Sequence, residues 1–322
     1  MTMTTVRTSA VQVIDVGPAL AGEPGAADAV AAEIAEACER IGFLVLVGHG
    51  IPDSLIAGIA GTARRFFDLP VAEKAILDDA TKGSRYVPFR SESVAASLDL
   101  VTPPDLKEAF SVYRADATQW PAEPEGFQEA WLAYWSAMEG LAQQLMGLFA
   151  RALALPTGWF DSYIDHSTPS LWVSNYPAQE HEPEPGQLRA GAHSDYTTMT
   201  LLHVDQAPGG LQVERSPGEW EDVPFVPGSF VVNLGDLMAR WTNDRWVSTM
   251  HRVANPPPGS GPAARRQSIV FFYKPNVDAV IGPIPTCVDD EHPARYAPVL
   301  AGDYMDEKGA KQDASHRSRG GS

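Results

Sequence analysis

The sequence predicts a mainly β fold preceded by helices, and three observations support this prediction. With 322 residues and 44% hydrophobic side chains, the chain can build a large core. Apolar residues recur at helical spacing in the first half, whereas after Asp161 the chain breaks into short segments rich in Val, Thr, Leu and aromatic residues. Gly, Pro, Asn and Asp separate these segments, which is typical of an antiparallel sandwich, a jelly roll or a barrel.

The first half predicts three helices and one buried strand. Residues 26–40 form an amphipathic pattern, and the apolar run FLVLV at residues 43–47 follows as a strand. A second helix is marked by apolar residues between Leu55 and Phe66, and a long helix by an aromatic and aliphatic stripe from Phe127 to Phe149. Residues 77–125 have weak periodicity, so we expect loops there, with short strands near residues 109–113.

The second half predicts a series of short strands. These strands cover residues 171–176, 198–204, 211–213, 220–223, 229–234, 248–253 and 268–273. The expected organisation is an N-terminal region over 1–125, a long helix and connector over 126–165, the β core over 166–280 and a C-terminal extension over 281–322. The tail after Gly302 is polar and rich in Ser and Gly, so we expect its end to be disordered.

Composition limits the classes of partner. The chain carries 24 Lys and Arg against 41 Asp and Glu, a net charge of −17, which disfavours binding to nucleic acid or an anionic membrane surface. Cys38 and Cys287 are isolated, which fits a reducing compartment. Since no early apolar run is long enough to cross a bilayer, we expect a cytoplasmic protein with a small-molecule partner. The oligomeric state stays open.

Three residues have the chemistry of a metal site. His193 and Asp195 are two positions apart, so on a strand both side chains would point to the same face. His251 follows Asp195 after 55 intervening residues, far enough for an antiparallel chain to return beside the first pair. Turns and strand ends also collect His and Asp, so the His-x-Asp pair alone is weak evidence. Two imidazoles and one carboxylate on one face form the ligand set of oxygen-activating non-haem Fe(II).

A second pair, Arg266 and Ser268, begins the apolar strand SIVFFY. Their spacing would place a guanidinium and a hydroxyl on one face, inside the β core. A buried guanidinium needs an anionic partner, and its fork suits a carboxylate, so the pair indicates an anionic ligand. The alternative is a solvated arginine at the start of the strand, beside Arg265.

Taken together, seven blocks of the sequence resemble the Fe(II)- and 2-oxoglutarate-dependent dioxygenases of the isopenicillin N synthase-like group. The blocks follow the family's order over nearly the whole chain. They are GFLVLVGHGIP at 42–52, DLKEAFSV at 105–112, NYP at 175–177, AHSDYTTMTLLHVDQAPGGLQV at 192–213, NLGDLM at 233–238, STMHRV at 248–253 and RQSIVFFY at 266–273.

The resemblance implies a double-stranded β-helix, or jelly-roll, core with a helical N-terminal region. It implies an enzyme that uses Fe(II), 2-oxoglutarate and O2 to oxidise a small molecule, such as a specialised metabolite, and that releases succinate and CO2. His193, Asp195 and His251 would be the iron ligands. Arg266 and Ser268 would hold the distal carboxylate of 2-oxoglutarate, and Tyr176 would add a hydrogen bond from its hydroxyl to the same co-substrate. Because Asp195 leaves no vacancy for a chloride ligand, the resemblance argues against a halogenase.

The family layout also suggests where substrate would bind. The expected contacts come from the segments of weak periodicity and from one aromatic residue of the β half. They are Arg85, Tyr86, Phe89, Phe110, Val112, Arg114 and Trp241. In this layout Arg85 or Arg114 could hold a substrate carboxylate.

Six further residues receive structural interpretations. His49 belongs to a turn, and His203 to the outer or packed face of its strand. Asn233, Gly235 and Asp236 are expected to shape a turn at the end of a strand, and Arg252 to form an ion pair away from the metal.

Alternative functions remain open from the sequence alone. One is a non-haem iron oxidase that works without 2-oxoglutarate and cyclises or desaturates its substrate. Another is a metal-holding β barrel that binds a ligand without catalysis. A zinc hydrolase is disfavoured, because the sequence has no His-Glu-x-x-His helix.

Overall fold

The computed structural model describes residues 9–179 and 181–319, with side chains described up to residue 310. These residues form helices before, between and after the strands of the β core. The helices are α1 (Gly17–Leu20), α2 (Ala26–Arg40), α3 (Asp53–Phe67), α4 (Val71–Ala75), α5 (Phe127–Ala152), α6 (Asp161–Ile164), α7 (Asp236–Trp241) and α8 (Ala301–Arg319).

The strands assemble into two main sheets and a short hairpin. They are β1 (Gln12–Asp15), β2 (Phe43–Val47), β3 (Ser84–Val87), β4 (Glu108–Val112), β5 (Ser170–Tyr176), β6 (Ala190–His193), β7 (Met199–Val204), β8 (Leu211–Ser216), β9 (Glu219–Asp222), β10 (Phe230–Leu234), β11 (His251–Val253), β12 (Arg266–Tyr273), β13 (Val280–Ile281) and β14 (Val299–Leu300).

The two main sheets face each other and enclose the core of a jelly roll. The larger sheet has the order β1-β2-β10-β7-β12-β5-β4-β3, and the smaller has the order β6-β11-β8-β9. Apolar side chains from both sheets, including Phe43, Leu202 and Val213, pack together between them. The fold class expected from the sequence is therefore confirmed.

Helices cover the outer face of the larger sheet. The stripe on α5 that predicts a long helix is buried, and α5 packs against α2, α3 and β12. Trp135 of α5 meets Phe271 of β12 edge to face, with ring centroids 5.6 Å apart. Because the helices shield this face, the opposite face of the sheet can carry polar residues into an enclosed space.

The N-terminal region is more integrated with the β core than the sequence suggests. Strands β1 to β4 all belong to the larger sheet, so half of its eight strands come from residues before 125. The expected division at residue 166 therefore does not separate two sheets. Strands β1 and β3 escape prediction, because each is only four residues long and too short to show a clear periodicity.

The C-terminal tail begins as a helix. Its backbone is helical from Ala301 to Arg319, and residues 320–322, at the end that is expected to be disordered, lie outside the described part. Buried Ala301 and Met305 dock the start of this helix on the core, which periodicity alone does not reveal in so polar a segment. Within the described chain, no helix has both the length and the apolar composition of a membrane span.

The aromatic cluster under the larger sheet generates a prediction about stability. Phe110 is fully buried, and its ring lies 5.2 Å from that of Phe66 and 5.3 Å from those of Phe127 and Trp131. We expect Phe110→Ala to lower the free energy of unfolding by about 3–5 kcal/mol, because it leaves a cavity that rigid neighbours cannot fill. Urea denaturation measures the loss.

The matched control is Val101→Ala, since Val101 is 97% exposed. Its effect should stay within about 0.5 kcal/mol. Equal effects of the two substitutions would show that the Phe110 cluster is not a rigid core.

Candidate active site

Two histidines from distant parts of the chain meet in the smaller sheet. His193 ends β6 and His251 begins β11, and the two residues are direct partners in the antiparallel register. Their ring centroids are 4.3 Å apart. The ring of Phe43 packs edge-on against His251 at 5.3 Å, so strand β2 of the N-terminal region fixes the position of this imidazole.

Hydrogen bonds orient both imidazoles in the same way. Nδ1 of His193 donates to the carbonyl oxygen of Gly191 at 2.8 Å, and Nδ1 of His251 donates to that of Thr249 at 3.1 Å. With Nδ1 protonated, Nε2 of each ring presents a lone pair, which is the form that binds a metal. Burial and repulsion from His251 lower the pKa of His193, so this ring is neutral at physiological pH.

Asp195 completes the cluster from a position beyond the strand. The sequence places it on a strand with His193, but β6 ends at His193 and Asp195 lies in the segment that follows, before a bend at residues 197–198. This segment is held by the backbone, since Asp236 N donates to Asp195 O at 2.7 Å. Asp195 Oδ1 lies 3.8 Å from Nε2 of His193 and 3.7 Å from Nε2 of His251.

The other carboxylate oxygen of Asp195 is anchored inside the larger sheet. Asn233 Nδ2 donates to Oδ2 at 2.7 Å, and Thr200 Oγ1 donates to the same atom. Burial acts to raise the pKa of Asp195, but the two imidazoles and these hydrogen bonds outweigh it, so the pKa lies below its usual value. Asp195 is therefore ionised and points Oδ1 at the histidines.

These three side chains fit a divalent metal ion. One ligand atom from each can be chosen so that all lie within 4.8 Å of one another, and all three groups are largely buried. Two imidazoles and a carboxylate on one side of a site leave the opposite positions open, as Fe(II) oxygen chemistry requires. The donor set thus agrees with the one expected from the sequence.

Asn233 and Thr200 are functional residues that sequence reasoning missed. Asn233 is expected to belong to a turn, yet it lies within the buried strand β10. An amide inside an apolar run such as FVVNL needs a hydrogen-bond partner, and that signal could have identified it. The turn interpretation holds for Gly235, where a Cβ would lie 2.1 Å from Thr197 O, and for Asp236, whose Oδ1 accepts from Ser248.

The second polar group lies on neighbouring strands of the larger sheet. Arg266 and Tyr176 are register partners on β12 and β5, and the guanidinium lies 5.2 Å from the tyrosine ring centroid. Arg266 Nη1 donates to Ser268 Oγ at 2.7 Å. Burial lowers the pKa of Arg266, although Tyr176 and Asp205 partly counter this.

Arg266 is 2% exposed, so the alternative of a solvated arginine is wrong. Among the described side chains, no carboxylate reaches ion-pair distance of its guanidinium. A buried guanidinium without a carboxylate is costly, so this group fits an anionic ligand such as the distal carboxylate of 2-oxoglutarate.

Both groups line one cavity between the sheets. The cavity also contains a buried ion pair, in which Lys107 Nζ lies 2.8 Å from Glu92 Oε1. Burial acts to lower the pKa of Lys107, but Glu92 and Asp105 raise it overall, so the lysine is charged. No local pattern indicates this pair, because a lysine and a glutamate apart in weakly periodic segments normally occupy surface positions.

Four of the residues expected to contact substrate lie in the hydrophobic core. Tyr86, Phe110, Val112 and Trp241 are at most 2% exposed and are absent from the cavity lining, so their expected role is wrong. Trp241 packs on Phe160 with ring centroids 5.0 Å apart. An aromatic side chain in a sequence indicates burial but not whether it faces a core or a cavity.

The other three expected contacts lie nearer the surface. Arg85 and Arg114 line a surface pocket that shares Tyr113 and Trp172 with the central cavity. Phe89 is 45% exposed and does not line the central cavity. The two arginines are thus beside the cavity, whereas Phe89 is outside it.

The remaining polar residues behave largely as structural groups. His49 Nε2 donates to Gly228 O at 2.7 Å and its Nδ1 accepts from Ile51 N, which confirms a structural role. His203 alternates with cavity-lining neighbours and faces the packed side of β7. Arg252 does face away from the histidines, but no carboxylate of the described side chains lies at ion-pair distance from it, so the expected ion pair is wrong. Its guanidinium lies 4.1 Å from the ring centroid of Trp220, and its Nε donates to a glutamine.

Two family models match the chain. The model described as 2OG-Fe(II) oxygenase superfamily matches residues 168–275, and the model described as non-haem dioxygenase in morphine synthesis N-terminal matches residues 11–134. The first segment contains both histidines, Asp195 and Arg266, and the second contains Lys107 and Glu92.

Named relatives are similar over most of their length. The 2-oxoglutarate-Fe(II) type oxidoreductase hxnY of Emericella nidulans is 34% identical, over 88% of this chain and 85% of the relative. Validamycin A dioxygenase of Streptomyces hygroscopicus subsp. limoneus is 33% identical, over 86% of this chain and 80% of that relative. The crystal structure of a full-length Neurospora crassa protein in complex with alpha-KG is 30% identical and covers 92% of this chain and 95% of its own, with a TM-score of 0.82.

The anchoring of Asp195 generates a prediction about metal affinity. We expect Thr200→Val to weaken Mn(II) binding about 10- to 100-fold, because this nearly isosteric change removes a hydrogen bond that orients the carboxylate. Equilibrium dialysis without oxygen measures the affinity. The control is Thr198→Val, since the buried Thr198 hydroxyl makes no hydrogen bond with the residues that the structure describes. An affinity equal to that of the unmodified protein in both variants would contradict the anchoring role.

Proposed function

The chain belongs to the 2OG-Fe(II) oxygenase superfamily, and from this premise we propose that His193, Asp195 and His251 are its Fe(II) ligands. The protein is an Fe(II)- and 2-oxoglutarate-dependent oxygenase of a small molecule, and it releases succinate and CO2. The observation that supports the ligand assignment is the convergence of the three ligand atoms within 4.8 Å. The orientation of both imidazoles by backbone carbonyls adds to it.

We propose that Arg266, Ser268 and Tyr176 hold the distal carboxylate of 2-oxoglutarate. The fork of a guanidinium can donate two parallel hydrogen bonds to a carboxylate, and burial strengthens such charge-assisted bonds. The Ser268 hydroxyl already contacts the guanidinium and fixes its direction. Tyr176 lies alongside on the neighbouring strand and offers its hydroxyl to the same ligand.

The chain's own side chains prepare the site for its chemistry. Bound Fe(II) and 2-oxoglutarate supply oxygen activation, in which decarboxylation to succinate is coupled to oxidation of a substrate C–H bond. Asn233 and Thr200 keep the Asp195 carboxylate in place. The two sheets enclose most of the cavity, and the Lys107–Glu92 ion pair balances two opposite charges in its wall.

The two alternatives from the sequence are not favoured. A 2-oxoglutarate-independent oxidase or a non-catalytic barrel would not be expected among relatives that are 2-oxoglutarate oxygenases and hydroxylases. We further propose a specialised metabolite as substrate, in line with the relative named validamycin A dioxygenase. A reducing, cytoplasmic location without a nucleic-acid partner is supported by the two unpaired buried cysteines and the charge of −17.

The assignment of Arg266 predicts a specific binding defect. We expect Arg266→Gln to raise the Kd for 2-oxoglutarate about 10- to 100-fold, because the ligand carboxylate loses its charged partner. Anaerobic titration of the Fe(II)-loaded protein measures the change. The control is Arg265→Gln, since Arg265 is paired with Asp68 near the surface. If both variants bind 2-oxoglutarate as tightly as the unmodified protein, Arg266 does not hold this ligand.

The metal-ligand assignment predicts a loss of both colour and turnover. Without oxygen, the protein with Fe(II) and 2-oxoglutarate should show a weak visible charge-transfer absorption, and Asp195→Ala should abolish it. Substrate-stimulated succinate release should fall with it, because one of three protein ligands is gone. An Asp195→Ala protein that keeps the absorption would contradict the assignment.

A further inference from the structure

The inner face of β12 carries a positive charge at each end. Alternate residues of a strand point to one face, and Arg266, Ser268, Val270 and Phe272 all line the cavity. Lys274 continues this alternation one residue beyond the strand and lines the same cavity. Arg266 is assigned above to 2-oxoglutarate, which leaves the opposite cation without a role.

Lys274 lacks a polar partner in the described chain. Its ammonium group makes no hydrogen bond and no ion pair with any described residue. The negative charge of Asp306 on α8 stabilises the protonated form of Lys274 from a greater distance. The other cavity lysine differs, because Lys107 is paired with Glu92. Burial lowers the pKa of Lys274 to about 8, so the group is still mainly protonated at neutral pH. A partly buried ammonium of this kind is stabilised when an anion binds.

The register of the sheet places Lys274 on the side of the metal ligands away from Arg266. Phe272 is the direct partner of Thr200 on β7, and Thr200 donates to Asp195. Lys274 is two residues further along, about 7 Å of strand. Arg266 is six residues from Phe272 in the other direction, about 20 Å of strand. The proposed iron ligands therefore lie between the two cations.

An apolar wall adjoins Lys274. The rings of Trp172 and Phe272 meet edge to face at 6.4 Å, and Tyr113 meets Trp172 at 5.8 Å. All three rings line the cavity, and Trp172 and Tyr113 continue into the surface pocket. Three partly exposed aromatic rings offer a surface for a flat or ring-shaped apolar group.

We propose that Lys274 binds the carboxylate of an organic acid substrate whose apolar body lies against Trp172, Phe272 and Tyr113. This inference rests on the proposed function, since it assigns the substrate of the same site. It names one class of molecule, a monocarboxylate with a ring-sized apolar body. Lys274 acts as a specificity-determining residue, and the C–H bond to be oxidised lies between its carboxylate and the proposed iron ligands.

The charges in the cavity support a single anionic group. Lys107 and Glu92 cancel each other, and Arg266 is matched by the distal carboxylate of 2-oxoglutarate. Asp195 faces two imidazoles and the proposed metal. Among the groups that line the cavity, one positive charge remains, and it belongs to Lys274. A dianion such as a phosphate monoester would leave one negative charge without a partner in the cavity.

The experiment compares matched acids and amides as ligands of the full chain. The protein is loaded with Fe(II) and 2-oxoglutarate without oxygen, and it is titrated with phenylacetate, 3-phenylpropanoate and 4-phenylbutanoate. The corresponding primary amides form the second series. The variants are Lys274→Met, Lys274→Arg, which keeps the cation, and Lys82→Met, which removes an exposed lysine paired with Asp79.

We expect at least one acid to bind about tenfold or more tightly than its amide, because a carboxylate gains a charge-assisted bond. Lys274→Met should reduce this ratio to below about threefold, whereas Lys274→Arg and Lys82→Met should keep it. Thermal unfolding of each variant separates a loss of folding from a loss of selectivity.

Three results would overturn the proposal. They are an equal affinity for acids and amides in the unmodified protein, a ratio that survives Lys274→Met in a folded variant, and no binding of any compound. Succinate release is measured in parallel after oxygen is admitted. Selective acid binding without succinate would count against the proposed function alone, and succinate release without acid selectivity would count against Lys274 alone.

Discussion

The structure depends on one constraint, which is that two imidazoles and a carboxylate from separate chain segments stay together in a buried space. The antiparallel register of β6 and β11 sets His193 opposite His251. Asp195 belongs to neither strand pair and is held instead by Thr200 and Asn233 of the larger sheet. The cluster therefore forms only when both sheets of the jelly roll are in place, which links the metal-binding geometry to the whole fold.

The cavity contains buried charge in a chain whose overall charge is −17. Each positive group that faces the cavity needs an anion to meet it, since an unpaired buried cation is costly. Lys107 has its anion within the chain, in Glu92. Arg266 and Lys274 face the cavity without a carboxylate at ion-pair distance among the described side chains. This contrast distinguishes the cations that maintain the structure from those that we assign to small anions.

The sequence predicts the short-range features of the site well, and the reasons are physical. A two-residue spacing aligns Arg266 with Ser268 on one face of a regular strand, whatever the rest of the fold does. Long-range features depend on register and packing, which no local pattern encodes. The pairing of Lys107 with Glu92 and the burial of Trp241 are of this kind. Apolar residues in particular can face a core or a cavity equally well.

The most direct test of the account is anomalous diffraction at the iron edge, from crystals grown without oxygen in the presence of Fe(II) and 2-oxoglutarate. The account predicts one strong peak in contact with Nε2 of His193, Nε2 of His251 and Oδ1 of Asp195, and a ligand carboxylate against Arg266. A peak that lacks any of these three contacts, or a 2-oxoglutarate molecule bound away from Arg266, would contradict it.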